Sequence, residues 1–177
     1  MKELSIEPGS ARQVRRRSLY APLLACVLAL GIAAPDQARA TAGSDVVGVV
    51  VALGDLPAPI RAKLKEQSAG GFEEGADVST IMVVQYTVQP GGYFGWHRHG
   101  GPVWALITQG TLTMYDGDDP TCVGTDYGLG TALLDSGNHT HNAVNHGSEP
   151  VVVYATFMLP AGAPPKIDAP DPGFCPF

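Results

Sequence analysis

The sequence predicts an all-β domain, a sandwich or barrel of short strands. Three observations carry that expectation. β-branched and aromatic residues recur in short runs cut by Gly, Pro, Asn and Asp, which is how strands and turns alternate. Gly (22) and Pro (15) are abundant in the 177 residues, yet below the share of roughly 25–30% that marks low-complexity chains. No segment has the length and 3.6-residue period of a helix able to cover a parallel sheet. The length suits one domain with its own core.

Residues 1–40 read as an export leader. A basic stretch, RQVRRRS, precedes the apolar run LYAPLLACVLALGIAA, and Ala38–Ala40 form a small-residue cleavage signal, so cleavage is expected near Ala40–Thr41. The competing reading is an uncleaved anchor, but the apolar run is short for a bilayer span and contains Pro22. Arg16-Arg17-Ser18-Leu19 leaves twin-arginine export open beside the ordinary route, and LLAC at Cys26 fits a lipoprotein box poorly. Secretion, or a periplasmic or other extracytoplasmic location, follows.

Residues 41–77 hold a linker, an N-terminal strand and a short helix. TAGSDVVGVVVALG becomes a β-branched strand, and in LPAPIRAKLKEQSAGG a proline precedes Ile60 and Leu64, four apart, which predicts one or two helical turns. Residues 78–160 form the expected barrel core. STIMVVQYTVQPGG is a strand closed by a turn, PVWALITQGTLTMYDG two strands in a hairpin about Gln109-Gly110, LGTALLDSGN a short strand, and HTHNAVNHGSEPVVVYATFML two more split at Gly147–Pro150. Residues 161–177 are a Pro-rich, extended C-terminal tail.

Charge and cysteine usage narrow the setting. The leader takes six of the eleven basic and three of the seventeen acidic residues, leaving five against fourteen and a net charge of −9. An exported domain that acidic is a poor partner for nucleic acid or an anionic membrane, and no membrane contact is expected after cleavage. Cys122 and Cys175 survive cleavage and are expected to form a disulfide. Closing a loop of about 54 residues would stabilise the fold by about 4 kcal/mol in the chain-entropy model.

All five histidines fall between His97 and His146. His97 and His99 are two apart, so on a strand they share a face, their Cα atoms roughly 6.5–7 Å apart and their rings able to reach one ion. His139 and His141 repeat the spacing on a later strand. Spacing alone leaves two readings open: convergence on one metal ion, or turn-flanking histidines satisfied by backbone and water.

PGGYFGWHRHGGPVWALITQGTLTMYDGD resembles the first motif of the cupin superfamily, G-x5-H-x-H-x3,4-E-x6-G, through Gly91, His97, His99 and Gly110. GTALLDSGNHTHNAVNHGSEPVVV resembles the second, G-x5-P-x-G-x2-H-x3-N, through Gly130, Gly137, His141 and Asn145, with one extra residue between Gly137 and His141. The resemblance implies a small jelly-roll β-barrel and a divalent metal ion (Fe, Mn, Zn, Ni or Cu) held by His97, His99 and His141. His139 is then either a neighbour that supports the ligands from outside or a fourth ligand. Two departures stand out: Val103 (or Trp104 in the longer spacing) sits where the motif has its glutamate, and Asp135 where it has a proline. Three neutral histidines without the glutamate resemble the facial site of certain non-haem iron dioxygenases, and equally of cupins that bind metal without known catalysis.

The softer expectations complete the picture. Tyr86, Gln109, Tyr115, Asn145 and Phe157 are placed as pocket-lining residues, and Trp96 and Trp104 as core. DGDD (Asp116 to Asp119) lacks the ligand spacing of a calcium loop and reads as a solvated turn. No nucleophile elbow, P-loop or dinucleotide fingerprint occurs. The expected function is an exported metal-binding cupin: either a three-histidine, dioxygenase-type enzyme acting on a small molecule or a non-catalytic binding module. A homodimer remains open, and the catalytic residues are unassigned.

Overall fold

The computed structural model describes residues 41–65 and 73–175. The expected leader, residues 1–40, lies outside the described residues. Ten strands follow in order: β1 Ser44–Lys65, β2 Glu73–Tyr93, β3 His97–Arg98, β4 Val103–Gln109, β5 Thr111–Asp116, β6 Thr125–Gly128, β7 Ala132–Asp135, β8 His141–Val144, β9 Val151–Leu159 and β10 Ile167–Asp168. Among the described residues there is no helix, and therefore none long and apolar enough to cross a membrane.

The strands form one continuous sheet that folds back on itself as a nearly closed jelly-roll barrel. One half runs β1-β2-β9-β4-β7 and the other β10-β3-β8-β5-β6, joined where Tyr93 of β2 pairs with Val144 of β8. The core lies between the halves. Strand β9 shows why: Val151, Val153, Ala155, Phe157 and Leu159 are buried at every second position, the period of a strand with one face inward. Strand β4 does the same with Val103, Ala105 and Ile107. Leu133 of β7 adds to the same side, and Leu112 of β5 and Ala143 of β8 close the cluster from the other half.

Several local expectations change. Strands β4 and β5 are not a hairpin: β4 pairs with β7 and β9, β5 with β6 and β8. Gly110, at φ +74°, instead turns the chain from one half of the barrel to the other, a corner that favours glycine. Trp104 is 53% exposed, because the alternation that buries Val103 and Ala105 turns it outward; Trp96 is buried as expected. Ile60 and Leu64 lie in extended β1, which pairs with β2 through Ile60↔Val78 and Leu64↔Glu74, while residues 66–72 of the expected helical stretch lie outside the described residues. A spacing of four is even, so it fits a strand face as well as a helical turn, and a neighbouring strand supplied the backbone partners.

The tail is more ordered than its composition suggests. Its β10 pairs with β3, Ile167 opposite Arg98 and Asp168 opposite His97. Ala169 is buried and donates its N–H to the Trp96 carbonyl at 2.9 Å. Cys175 is disulfide-bonded to Cys122, which anchors the tail beyond that strand.

Candidate metal centre

Two strands bring the histidines together. His97 of β3 and His141 of β8 are directly opposite in the antiparallel pairing, and His99 follows two residues after His97. The His99 N–H donates to the Gly137 carbonyl at 2.7 Å, which ties the end of β3 to the loop before β8. Gly137 has φ +118°, and a Cβ there would lie 2.7 Å from the Gly101 carbonyl, so only glycine suits this crossing. The three rings are buried, with centroids 4.9 Å (His97–His99), 4.4 Å (His97–His141) and 5.0 Å (His99–His141) apart. One donor nitrogen from each falls within 4.8 Å of the others.

The second nitrogen of each ring is already committed. Nδ1 of His97 lies 2.7 Å from the Gly95 carbonyl, Nδ1 of His99 2.6 Å from the Pro165 carbonyl, and Nδ1 of His141 3.1 Å from the His139 carbonyl. A carbonyl oxygen can only accept, so each Nδ1 carries the proton and each Nε2 keeps its lone pair. That is the tautomer a metal ligand needs.

Burial reinforces the neutral form. Loss of hydration, helped by the nearby His141 and His99, pushes His97 down to about 2. Burial pushes His99 down to about 4, with His141 adding to the effect and Asp135 opposing it. The donor set thus fits a borderline divalent ion: neutral imidazoles, buried and oriented by their outer hydrogen bonds.

A cavity surrounds the three rings, with an empty space of about 520 Å³ that includes its open mouth. Tyr86 and Phe157, both expected there, line it; Phe157 packs against His99 with centroids 5.4 Å apart. Burial raises the Tyr86 phenol, which therefore stays protonated. The rest of the wall is mainly aliphatic, with Asp135 and Lys166 as its other charged groups.

Three expected pocket residues stand elsewhere. Gln109 is exposed, beyond an irregularity in the β4–β9 register after Ile107. Tyr115 has the opposite parity to Leu112 and Met114, which line the cavity, and its hydroxyl contacts Nε2 of His146 at 2.8 Å. Asn145 is fully buried but holds a turn, donating to the Val88 and Glu149 carbonyls and accepting from the Gly147 N–H. His139 precedes β8 in a bend rather than extending it. Its Nε2 lies 3.0 Å from Asp116 and 3.5 Å from Asp118, away from His97 and His99.

The residues that sequence reasoning undervalued are Asp135, Pro165 and Lys166. Asp135 was visible as a departure from the second motif, where a turn role was expected. It does hold the turn, accepting the Gly137 N–H at 2.6 Å, but its other oxygen lies 3.2 Å from Nδ1 of His141. Burial opposes its ionisation, yet hydrogen bonds from His141 and Gly137 and the adjacent histidines hold it below the usual carboxylate range. Pro165 and Lys166 gave no signal, since a tail of that composition has no period to read.

Residues 84–157 match the Cupin domain family, and these residues supply all three clustered histidines and their strands. They are a cupin domain. No curated protein matches the chain. Among solved structures, the polyketide cyclase RemF from Streptomyces resistomycificus is similar at 17% identity and a TM-score of 0.47, over 76% of this chain and 80% of that one. A cupin superfamily protein from Desulfitobacterium hafniense is similar at 13% identity and a TM-score of 0.40, over 60% and 83%. Oxalate decarboxylase from Bacillus subtilis is similar at 25% identity and a TM-score of 0.40, over 45% of this chain and only 21% of its own length. At these scores nothing about substrate or reaction passes from those proteins to this cupin domain.

Proposed function

We propose that this cupin is an exported metal protein that holds one divalent ion on His97, His99 and His141 and acts on a small, oxygen-bearing molecule, with dioxygenase-type chemistry. The observation that supports it best is the shared tautomer: three buried rings, each with Nδ1 donating to a carbonyl and Nε2 keeping its lone pair, clustered so that one nitrogen of each lies within 4.8 Å of the others. Such an ion supplies Lewis acidity and open coordination positions for an oxygen ligand. The chain's own residues do the rest. Phe157, Phe94 and the aliphatic wall exclude water and receive the apolar body of a ligand, and the Lys166 ammonium offers a counter-charge to an anionic oxygen at the wall. Export is supported by the leader pattern and by the Cys122–Cys175 disulfide, which belongs to an oxidising compartment.

A binding module without turnover is the second reading, and one observation favours it. The two other charged groups of the cavity are both engaged, Asp135 with His141 and Lys166 with Asp168, so neither stands ready as an acid or base. Elemental analysis of protein recovered from its exported fraction tests the shared part: about one equivalent of metal is expected, and none in chelator-free protein would sink both readings. Oxygen uptake across diketones, phenols and thiols then divides them, since a binder saturates with ligand and consumes no O₂.

A further inference from the structure

Val103 occupies the position at which the first motif carries its glutamate, and an aliphatic side chain binds no ion. Its partner across the β4–β7 ladder is Asp135. Residues directly opposite in an antiparallel pair project from the same face, with Cβ atoms about 4.5–5.5 Å apart. Both side chains are buried and both line the histidine cavity. The carboxylate absent from β4 is thus present one strand over, on β7.

We infer that Asp135 supplies the negative charge that Val103 cannot, as a positioning residue acting on the metal site through His141. Its oxygens group with the donors of His139 and His141, but not with those of His97 and His99, so it stands behind one ligand rather than among three. A carboxylate accepting from the outer nitrogen of a ligand histidine fixes the ring and makes the inner nitrogen more basic. The His139 carbonyl shares that N–H at 3.1 Å and would preserve the tautomer alone. Asp135 therefore contributes charge more than tautomer choice. Without it the ion would face three neutral ligands and no compensating anion on this side of the cavity.

The inference rests on the metal reading above, and the two fail separately. Asp135→Asn is the informative change. Its amide oxygen still accepts the Gly137 N–H, so the turn survives, while its NH₂ meets the His141 N–H donor to donor. Apo protein with the disulfide intact is titrated with Zn(II) by competition, and with Co(II) to read coordination from the visible spectrum. The Asn variant is expected to bind about 10–100-fold more weakly, with a Co(II) spectrum of unchanged intensity, because no ligand is lost. Affinity within about threefold of the wild type, or a spectrum showing a lost ligand, overturns the inference. A wild type that takes up no Zn(II) overturns the metal reading instead. Should Asp135→Asn fail to fold, Val103→Glu/Asp135→Asn returns a carboxylate to the same face one strand away. Recovered folding and binding support the inference, and failure to recover them counts against it.

Discussion

The apo protein should be markedly acid-sensitive between pH 7.5 and pH 5.0, because two buried rings that stay neutral in the fold take up protons on unfolding. His97 and His99 are neutral in the fold, lowered to about 2 and about 4 by burial, whereas in the unfolded chain each returns to about 6.5. Between those values the unfolded state binds more protons than the folded one, so stability falls as pH falls. The loss begins near 6.5, continues for His99 to about 4, and for His97 to about 2. Each group contributes about 1.4 kcal/mol per pH unit in its window, so pH 5.0 costs about 2 kcal/mol per histidine and about 4 kcal/mol for the pair. Against a total stability of about 5–15 kcal/mol that is a large fraction. The assay is urea unfolding of metal-free, disulfide-intact protein at both pH values, with His97→Gln/His99→Gln as the control that should lose most of the pH dependence. Equal apo stabilities at pH 7.5 and 5.0 would refute the claim that these rings are buried and neutral.

Four further outcomes follow from the same geometry. His141→Ala should abolish metal uptake while His139→Ala, whose ring faces Asp116 and Asp118, should leave affinity nearly intact; equal losses by competition titration would show the wrong ligand set. Reducing the Cys122–Cys175 bond should lower stability by about 4 kcal/mol in the chain-entropy model, and should weaken metal binding as well, since the Pro165 carbonyl that orients His99 lies in the anchored tail. Lys166→Met should leave Zn(II) affinity within a few fold but weaken a carboxylate-bearing ligand by about tenfold or more, read by ligand titration of the metal-loaded protein. Phe157→Ala, at a side chain 2% exposed against His99, should cost about 3–5 kcal/mol in unfolding free energy and loosen the site with it.

The barrel and its histidines were legible because their signals are local. Alternation along β9 announces a strand with one face inward, and two-residue spacing announces that His97 and His99 can share a site. The His141-x3-Asn145 frame singles out one histidine of the second pair. What was not legible depends on partners distant in the chain. Whether Gly110 makes a hairpin or a corner is decided by which strands β4 and β5 meet, and both answers use the same glycine. Trp104 is apolar enough for a core, yet its exposure follows from the register that buries its neighbours. Gln109 and Tyr115 failed on parity, one displaced by an irregularity and the other on the alternate face of β5. The tail carries no periodicity, so its two residues in β10 could not be read in advance.

The same distinction separates the donors of the site from the geometry that would make them ligands. The motif supplies three imidazoles, but an imidazole is oriented only when its outer nitrogen has a partner. For His97 that partner is two residues away, at Gly95, whose φ of +76° turns its carbonyl back toward the ring. For His141 it is the local His139 carbonyl together with Asp135, brought in by the β7–β8 loop. For His99 it is Pro165, 66 positions later, held by β10 pairing and by a disulfide beyond it. The three candidate ligands are thus oriented by partners at increasing distance along the chain. The partner that orients His99 comes from the C-terminal tail, which makes the tail and its disulfide part of the candidate metal centre rather than an appendage to the barrel.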